Sequence, residues 1–471
     1  MQKFRAFVLF IFVVIKVFSY ERVDGILHIH SNCTDEKNLS IEEIVKKCKN
    51  NGITAISLND HCLLKAECGL WPLNRIIKQT CERKSVLNIT PEKYLDEINN
   101  VSQKYPDMII IPGVEVTPSY YWTYKNKKLV LNNFHKHMLV CGLLSPKDFY
   151  NLPVIGNENN SGKFDLLLLW PLVAICFILV LVKTKIKIFL IIFLSIILIN
   201  NYPFRRLSFD AYKNYGELPY QELIDYVNNL NKEDSKVLIT WAHPDAPNWT
   251  EEKCLMDGKF IKVFTKTEKY SQSLLLTKNY DGFAIFAEGY KESGKVGGVW
   301  DKVLLEYCLG EREKPVWCFA EVDYSENSDD LYVRKNILFV EKSDYVSVMN
   351  AYKKGRFYAL WRNVEKEMEL HSFSFYSRTQ SAKFGEEIIF DGSAVTLSGK
   401  IKFSDNSQQR IKINIIRDGE IIKFIETLTP YELNFTDMPN FDNKKKVFYR
   451  IFIESNYPHM IATNPVFIVK N

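Results

Sequence analysis

Six short apolar runs in this chain carry a histidine or a carboxylate at one end, and that recurrence limits what it can fold into. They are "GILHIH" (His28, His30), "ITAISLNDH" (Asp60, His61), "MIIIPGVEVT" (Glu115), "FHKHMLVCGL" (His135, His137), "KVLITWAHPD" (His243) and "KPVWCFAEVD" (Asp323). On a strand, residues i and i+2 face the same side, so the rings of His28 and His30 aim at one spot. A metal ion is the usual reason to aim two imidazoles together. A pair of surface histidines on a loop is the plainer reading of that stretch alone. The chain holds only eight histidines, and six strand ends in register are hard to explain without a shared polyvalent site.

The segments between these runs read as helices. Ser40 and Glu43 form a capping box. Ile41, Ile44, Val45 and Cys48 then fall at helical spacing, and Asn51-Gly52 stops the helix. "PEKYLDEINNVSQKYPD", "LPYQELIDYVNNLNKEDS" and "DKVLLEYCLGE" are further helices. Strand, helix, strand, with polar chemistry at the C-terminal strand ends, is how α/β folds build their sites. From about Lys366 the pattern changes to alternating strands, with an Asp-Gly hairpin turn in "RDGE". About 100 residues of this predict a small β-sandwich. His371 and His459 lie there and read as structural or surface residues.

The chain of 471 residues is 46% hydrophobic and 25% charged, so wholesale disorder is excluded. The net charge of +5 and the lack of a basic, aromatic stripe give no sign of nucleic-acid binding. Residues 1–20 have the form of a signal peptide or N-terminal anchor, with Lys3 and Arg5 before an apolar run. Leu166 to Val182 is 17 residues without a charge, and Ile188 to Ile199 adds 12 more. The sequence therefore predicts a transmembrane hairpin over 164–200. A buried soluble hairpin is the alternative. Lys183, Lys185 and Lys187 put its turn in the cytoplasm, although Arg205 and Arg206 on the outer flank run against this. The expected location is the cytoplasmic membrane, with the catalytic domain outside the cytoplasm. Ten cysteines fit an exported chain, and one pair among Cys62, Cys68 and Cys81 is a candidate disulfide. They show no CxxC, so a structural zinc site has little support.

The ordered set His-x-His with a downstream Asp, Asn-Asp-His, Pro-Gly-Val-Glu, the histidine of "HMLVCGL" and "AHP" resembles the PHP (polymerase and histidinol phosphatase) metallohydrolases. The match runs from about Gly25 to Leu360, and "KKGRFYAL" with the β-rich tail resembles the exported branch that carries a C-terminal sandwich. The resemblance implies an α/β fold: a distorted seven-stranded βα barrel in two parts (21–160 and 205–362), interrupted by the hairpin and followed by an all-β sandwich (366–471). It implies two or three divalent ions. His28 and His30 match the first motif, Asp35 its downstream ligand, His61 the second-motif histidine and Asp60 the aspartate beside it. Glu115 matches the bridging glutamate, His137 and His243 the later histidines, and Asp323 the last aspartate. Two departures stand out: Ser325 occupies the place of a histidine, and Ala284 stands where many relatives carry Glu. The missing histidine removes a ligand and a possible base from one metal.

Two ions held by His28, His30, His61, Glu115 and Asp323 would activate water for phosphoryl transfer. His243 or Asp60 would orient the water or protonate the leaving group. The ligand mix suits Zn, Mn or Fe. The expected function is a membrane-tethered phosphoesterase acting on a phosphoester small molecule or a lipid headgroup. An ester, amide or carbamate hydrolase is the second reading, and a noncatalytic metal- or ligand-binding sensor the third. The sequence carries no signal for oligomeric state.

Overall fold

The computed structural model describes residues 20–125, 128–159, 163–206, 209–231, 236–256, 259–286, 288–325 and 331–470. The expected signal peptide or anchor lies, but for Tyr20, outside the described residues.

The site-bearing strands are β1 (Glu21–Ile29), β2 (Ala55–His61), β3 (Ile109–Val116), β4 (Met138–Cys141), β5 (Leu238–Trp241), β6 (Gly282–Phe286) and β7 (Trp317–Ala320). They lie in the order β7-β6-β5-β4-β3-β2-β1, and continue through β8 (Arg334–Val340) and β9 (Phe357–Trp361). β1, β2 and β3 pair in parallel, as do β5, β6 and β7. β4 runs against both of its neighbours. The first and last of the seven approach each other: Val322 donates to the Leu27 carbonyl (3.1 Å) and Tyr324 to that of His28 (3.1 Å).

The sequence signals work locally as expected. α1 (Ile41–Asn50) carries both halves of the Ser40–Glu43 capping box and buries Ile41, Ile44, Val45 and Cys48. α2 (Pro91–Lys104) starts on proline and buries Tyr94, Leu95, Ile98 and Val101. Asp418 and Gly419 both take positive φ in the predicted hairpin turn, with Arg417 opposite Glu420.

The expected architecture needs two corrections. The fold is a mixed α/β structure in which the site strands and the tail share one 15-stranded sheet. β9 pairs with Met460–Thr463, and the sheet runs on through Lys446–Glu454 and Arg410–Arg417 to Glu420–Leu428. A separate four-stranded sheet, containing Met368–Tyr376, Val395–Phe403 and Tyr431–Asp437, completes the tail.

The second correction is the transmembrane hairpin. Leu166–Leu169 form a 3-10 turn, followed by α3 (Trp170–Leu181) and α4 (Ile186–Asn201). Among the described residues no helix is long and apolar enough to cross a membrane. At a rise of about 1.5 Å per residue, helices of this length reach about 18 and 24 Å, short of the roughly 30 Å hydrocarbon core. Counting apolar residues missed Pro171, which is tolerated only in a first helical turn and so sets the helix start near it. The helix ends at Leu181 because Val182 is already extended. The hairpin is nonetheless apolar on its outer surface, with Phe177, Val180, Leu181, Ile188 and Phe189 exposed. Asn200 fastens its base: it accepts from the Arg75 and Ile76 backbone amides (2.9 and 3.3 Å) and donates to the Pro72 carbonyl (3.2 Å).

The cysteine expectation also changes. Cys81 is disulfide-bonded, but Cys62 and Cys68 are free thiols. Cys81 is therefore bonded to a cysteine outside the predicted trio.

Candidate metal centre

Each ligand group arrives from the end of a strand. At β1 the pairing with β2 shifts register between Ile26 and Ile29. His28 takes φ +69° there, and its amide donates to the Asn59 side-chain oxygen (3.1 Å). His28 and His30 converge, with Nε2 atoms 3.2 Å apart. The β2–β3 register sets His61 directly opposite Glu115. His137 immediately precedes β4. Because that strand is reversed, its starting end lies with the C-terminal ends of its neighbours. His243 follows β5. The segment beyond β7 pairs with β1 and so delivers Asp323 beside the two histidines.

Glu115 is the hub. It is 3% exposed, and its two oxygens divide the imidazoles. Oε1 meets His28 Nε2 (3.2 Å), His243 Nε2 (3.5 Å) and His137 Nδ1. Oε2 meets His61 Nδ1 (2.9 Å) and His30 Nε2 (3.6 Å). Asp323 Oδ1 lies 3.4 Å from His28 Nε2 and 3.5 Å from His30 Nε2. Three overlapping groups result: His28, His30 and Asp323; His30, His61 and Glu115; Glu115, His137 and His243. In each, the ligand atoms lie within 4.8 Å of one another.

Outer hydrogen bonds fix which nitrogen faces inward. His28 Nδ1 donates to Glu321 Oε2 (3.0 Å), leaving Nε2 as a lone pair. His137 Nε2 donates to the Phe134 carbonyl (3.0 Å), leaving Nδ1. The Tyr270 hydroxyl donates to the Ala242 carbonyl (2.6 Å), so its oxygen accepts from His243 Nδ1 (3.1 Å) and frees Nε2. Metal-binding histidines are commonly locked in this way. The donor set fits divalent ions: the freed imidazole nitrogens and two carboxylates share one spot. The buried His137 Nδ1 has no hydrogen-bond partner although it abuts Glu115.

The charges agree. Burial pushes His137 down to about 4, which makes it a neutral ligand near neutrality. Burial also opposes protonation of His243, but the Glu115 hydrogen bond and the charges of Glu321 and Asp323 outweigh it and raise it to about 9. His28 is raised well above the ordinary imidazole value against its burial, by Asp323, Glu115 and Glu321. Burial likewise fails to neutralise Glu115, which the charge of His28 holds well below the carboxylate range. Such a centre calls for positive charge, and a bound cation takes the place of the protons.

Two predicted residues sit elsewhere. Asp60 is fully buried behind the loop that follows β1. It accepts from the Ser31 amide (2.8 Å), the Ser31 hydroxyl (2.7 Å) and the Thr34 hydroxyl (2.5 Å). Asp35 is exposed at the cavity wall and accepts from the Lys37 amide (3.1 Å). Neither belongs to the three ligand groups. His135 and Ser325 line the cavity without joining them.

Sequence reading missed Glu321, which holds His28 and also accepts from the His243 amide (2.7 Å). The signal was present: Glu321 precedes Asp323 by two residues, the same spacing as His28 and His30. The centre opens into a cavity of about 500 Å³, lined also by Arg83, Glu288 and Arg334.

No family model matches the chain, and no curated protein matches it. Among solved structures it is similar to a two-domain protein containing a predicted PHP-like metal-dependent phosphoesterase from Bacteroides vulgatus. That likeness has 11% identity and a TM-score of 0.35, over 94% of this chain and 87% of the other.

Proposed function

We propose that this protein is a metal-dependent hydrolase of phosphoesters. The observation that carries the reading is the sharing of Glu115 among five imidazoles, with Asp323 beside two of them, His28 and His30. A carboxylate with two oxygens facing separate histidine sets is built to bridge adjacent cations.

His28, His30, His61, Glu115, His137, His243 and Asp323 would hold the ions. When bound, such ions supply hydroxide near neutral pH and neutralise charge on a phosphoryl group. The chain's own residues keep the ligands aimed: Glu321 holds His28, the Phe134 carbonyl holds His137, and Tyr270 holds His243. His243 thus acts as a ligand, since both of its nitrogens are committed. Asp60 acts as the anchor of the Ser31–Thr34 loop. Asp323, with its side chain 51% exposed, faces the cavity where substrate enters.

The test is hydrolysis of p-nitrophenyl phosphate, bis-p-nitrophenyl phosphate and p-nitrophenyl acetate by purified protein supplied with Mn or Zn. We expect phosphate release, lowered at least ~100-fold in His28→Ala, because even outer partners of metal ligands are worth 10–100-fold. Acetate cleavage without phosphoester cleavage would shift the assignment to a carbonyl hydrolase. Metal binding without turnover would leave a sensor.

A further inference from the structure

Arg334 is a cation in the cavity that the centre does not use. It opens β8 and lines the cavity with His30, Asp323 and Ser325. Five carboxylates line the same cavity: Asp35, Glu115, Glu288, Glu321 and Asp323. Arg334 ion-pairs with none of them among the described residues, and its buried Nε has no hydrogen-bond partner. Its place is set from behind. It pairs across the ladder with Trp361, and its guanidinium lies 5.4 Å from that ring's centre. Trp361 is itself packed against Phe286, Tyr290 and Tyr457. A guanidinium stacked on a fixed ring is held in orientation at low entropic cost. Its planar fork of donors matches a phosphate oxyanion.

We infer that Arg334 is a substrate-binding residue, which takes an oxyanion of the phosphoester on the cavity wall beside the metal centre. This rests on the hydrolase reading for the identity of the ligand, but the residue's own geometry stands apart from it. An arginine that pairs with none of the cavity's carboxylates among the described residues is placed to take an anion that arrives later. Trp361 explains the orientation of the side chain but offers Nε no acceptor.

The test uses inorganic phosphate as the probe, titrated calorimetrically into wild type, Arg334→Gln and Arg334→Lys, with metal content measured on each. We expect metal content to be unchanged and phosphate affinity to fall tenfold or more in Arg334→Gln. Lysine should restore only part of it, since an ammonium cannot present the fork. With an active substrate, the loss should appear chiefly in KM. Equal phosphate affinity in wild type and Arg334→Gln at equal metal content would overturn the assignment. If Arg334→Gln fails to fold, Arg334→Lys carries the comparison, and wild-type affinity in it would count against the assignment. If all three proteins lack metal, the hydrolase reading falls. The same titration on metal-free protein then decides Arg334 alone.

Discussion

Glu321 is the residue on which the geometry of the centre most depends. One oxygen fixes the His28 ring and the other holds the His243 backbone, so one buried carboxylate aligns ligands from two strands. His28, His243 and Asp323 all take positive φ, at 69°, 25° and 48°. Backbone strain of order 1–3 kcal/mol per residue persists only where the surroundings enforce it. Removing Glu321 releases that enforcement at two of the three. Glu321→Ala should weaken metal affinity about 10–100-fold, with Glu321→Gln in between because its amide oxygen still accepts one bond. Competition against a chelator of known affinity measures this. Unchanged affinity in the alanine variant would show that the ring needs no such support.

At the scale of elements, the strands are stitched at the end away from the centre by Asp281. Its amide donates to the Ile239 carbonyl of β5, and its own carbonyl accepts from Trp317 of β7. Its carboxylate accepts from the Ile239 amide (2.8 Å), Lys314 (2.8 Å) and Lys353 (2.7 Å). Burial opposes its ionisation, but Lys353 and Lys314 outweigh it and hold the carboxyl below its usual value. Its stabilisation is therefore complete above about pH 4, the unfolded carboxyl value, and is lost as pH falls through the depressed folded value. Asp281→Asn should cost about 3 kcal/mol near neutrality, since it leaves two lysines without their buried partner. Denaturant midpoints across pH should show the gap to wild type narrowing in acid. A gap that widens in acid would reverse the sign of the argument.

The elements were largely legible in the sequence because periodicity and caps are local. Ser40 and Glu43 mark α1, and Asp418-Gly419 marks a hairpin. The ligands were legible for the same reason: apolar runs carry them at one end. The reversed β4 is not visible in "HMLVCGL", and the sequence places His137 only as a strand histidine. Asp35 and Asp60 were drawn in by their spacing from His30 and their adjacency to His61. Their hydrogen bonds to Lys37 and to Ser31 and Thr34 are matters of loop geometry that spacing does not encode. The spanning hairpin failed in both helices: Pro171, which apolar counting cannot weigh, sets the start of α3, and α4 has only 16 residues.

At the scale of the whole molecule, the tail and the site strands behave as one body. A single sheet runs through both. Asp301, in the helix Val299–Leu309, grips Arg450 of Lys446–Glu454 with two hydrogen bonds of 2.6 Å, and both side chains are 1% exposed. Arg450 also lies over the Trp300 ring at 4.7 Å. A charge pair this deeply buried joins its two elements firmly, because separating it strands both ions away from water. The tail thereby braces the frame from which the strand ends project. What the frame holds in place is the account's central claim: seven side chains from six strand ends form one polynuclear centre. The most direct test is elemental analysis of the whole protein purified without added metal, beside a Glu115→Ala variant of equal thermal stability. The account predicts about two or more divalent ions per chain in wild type, lost in the variant. Near-zero metal in wild type, not restored by adding Mn or Zn, would contradict it.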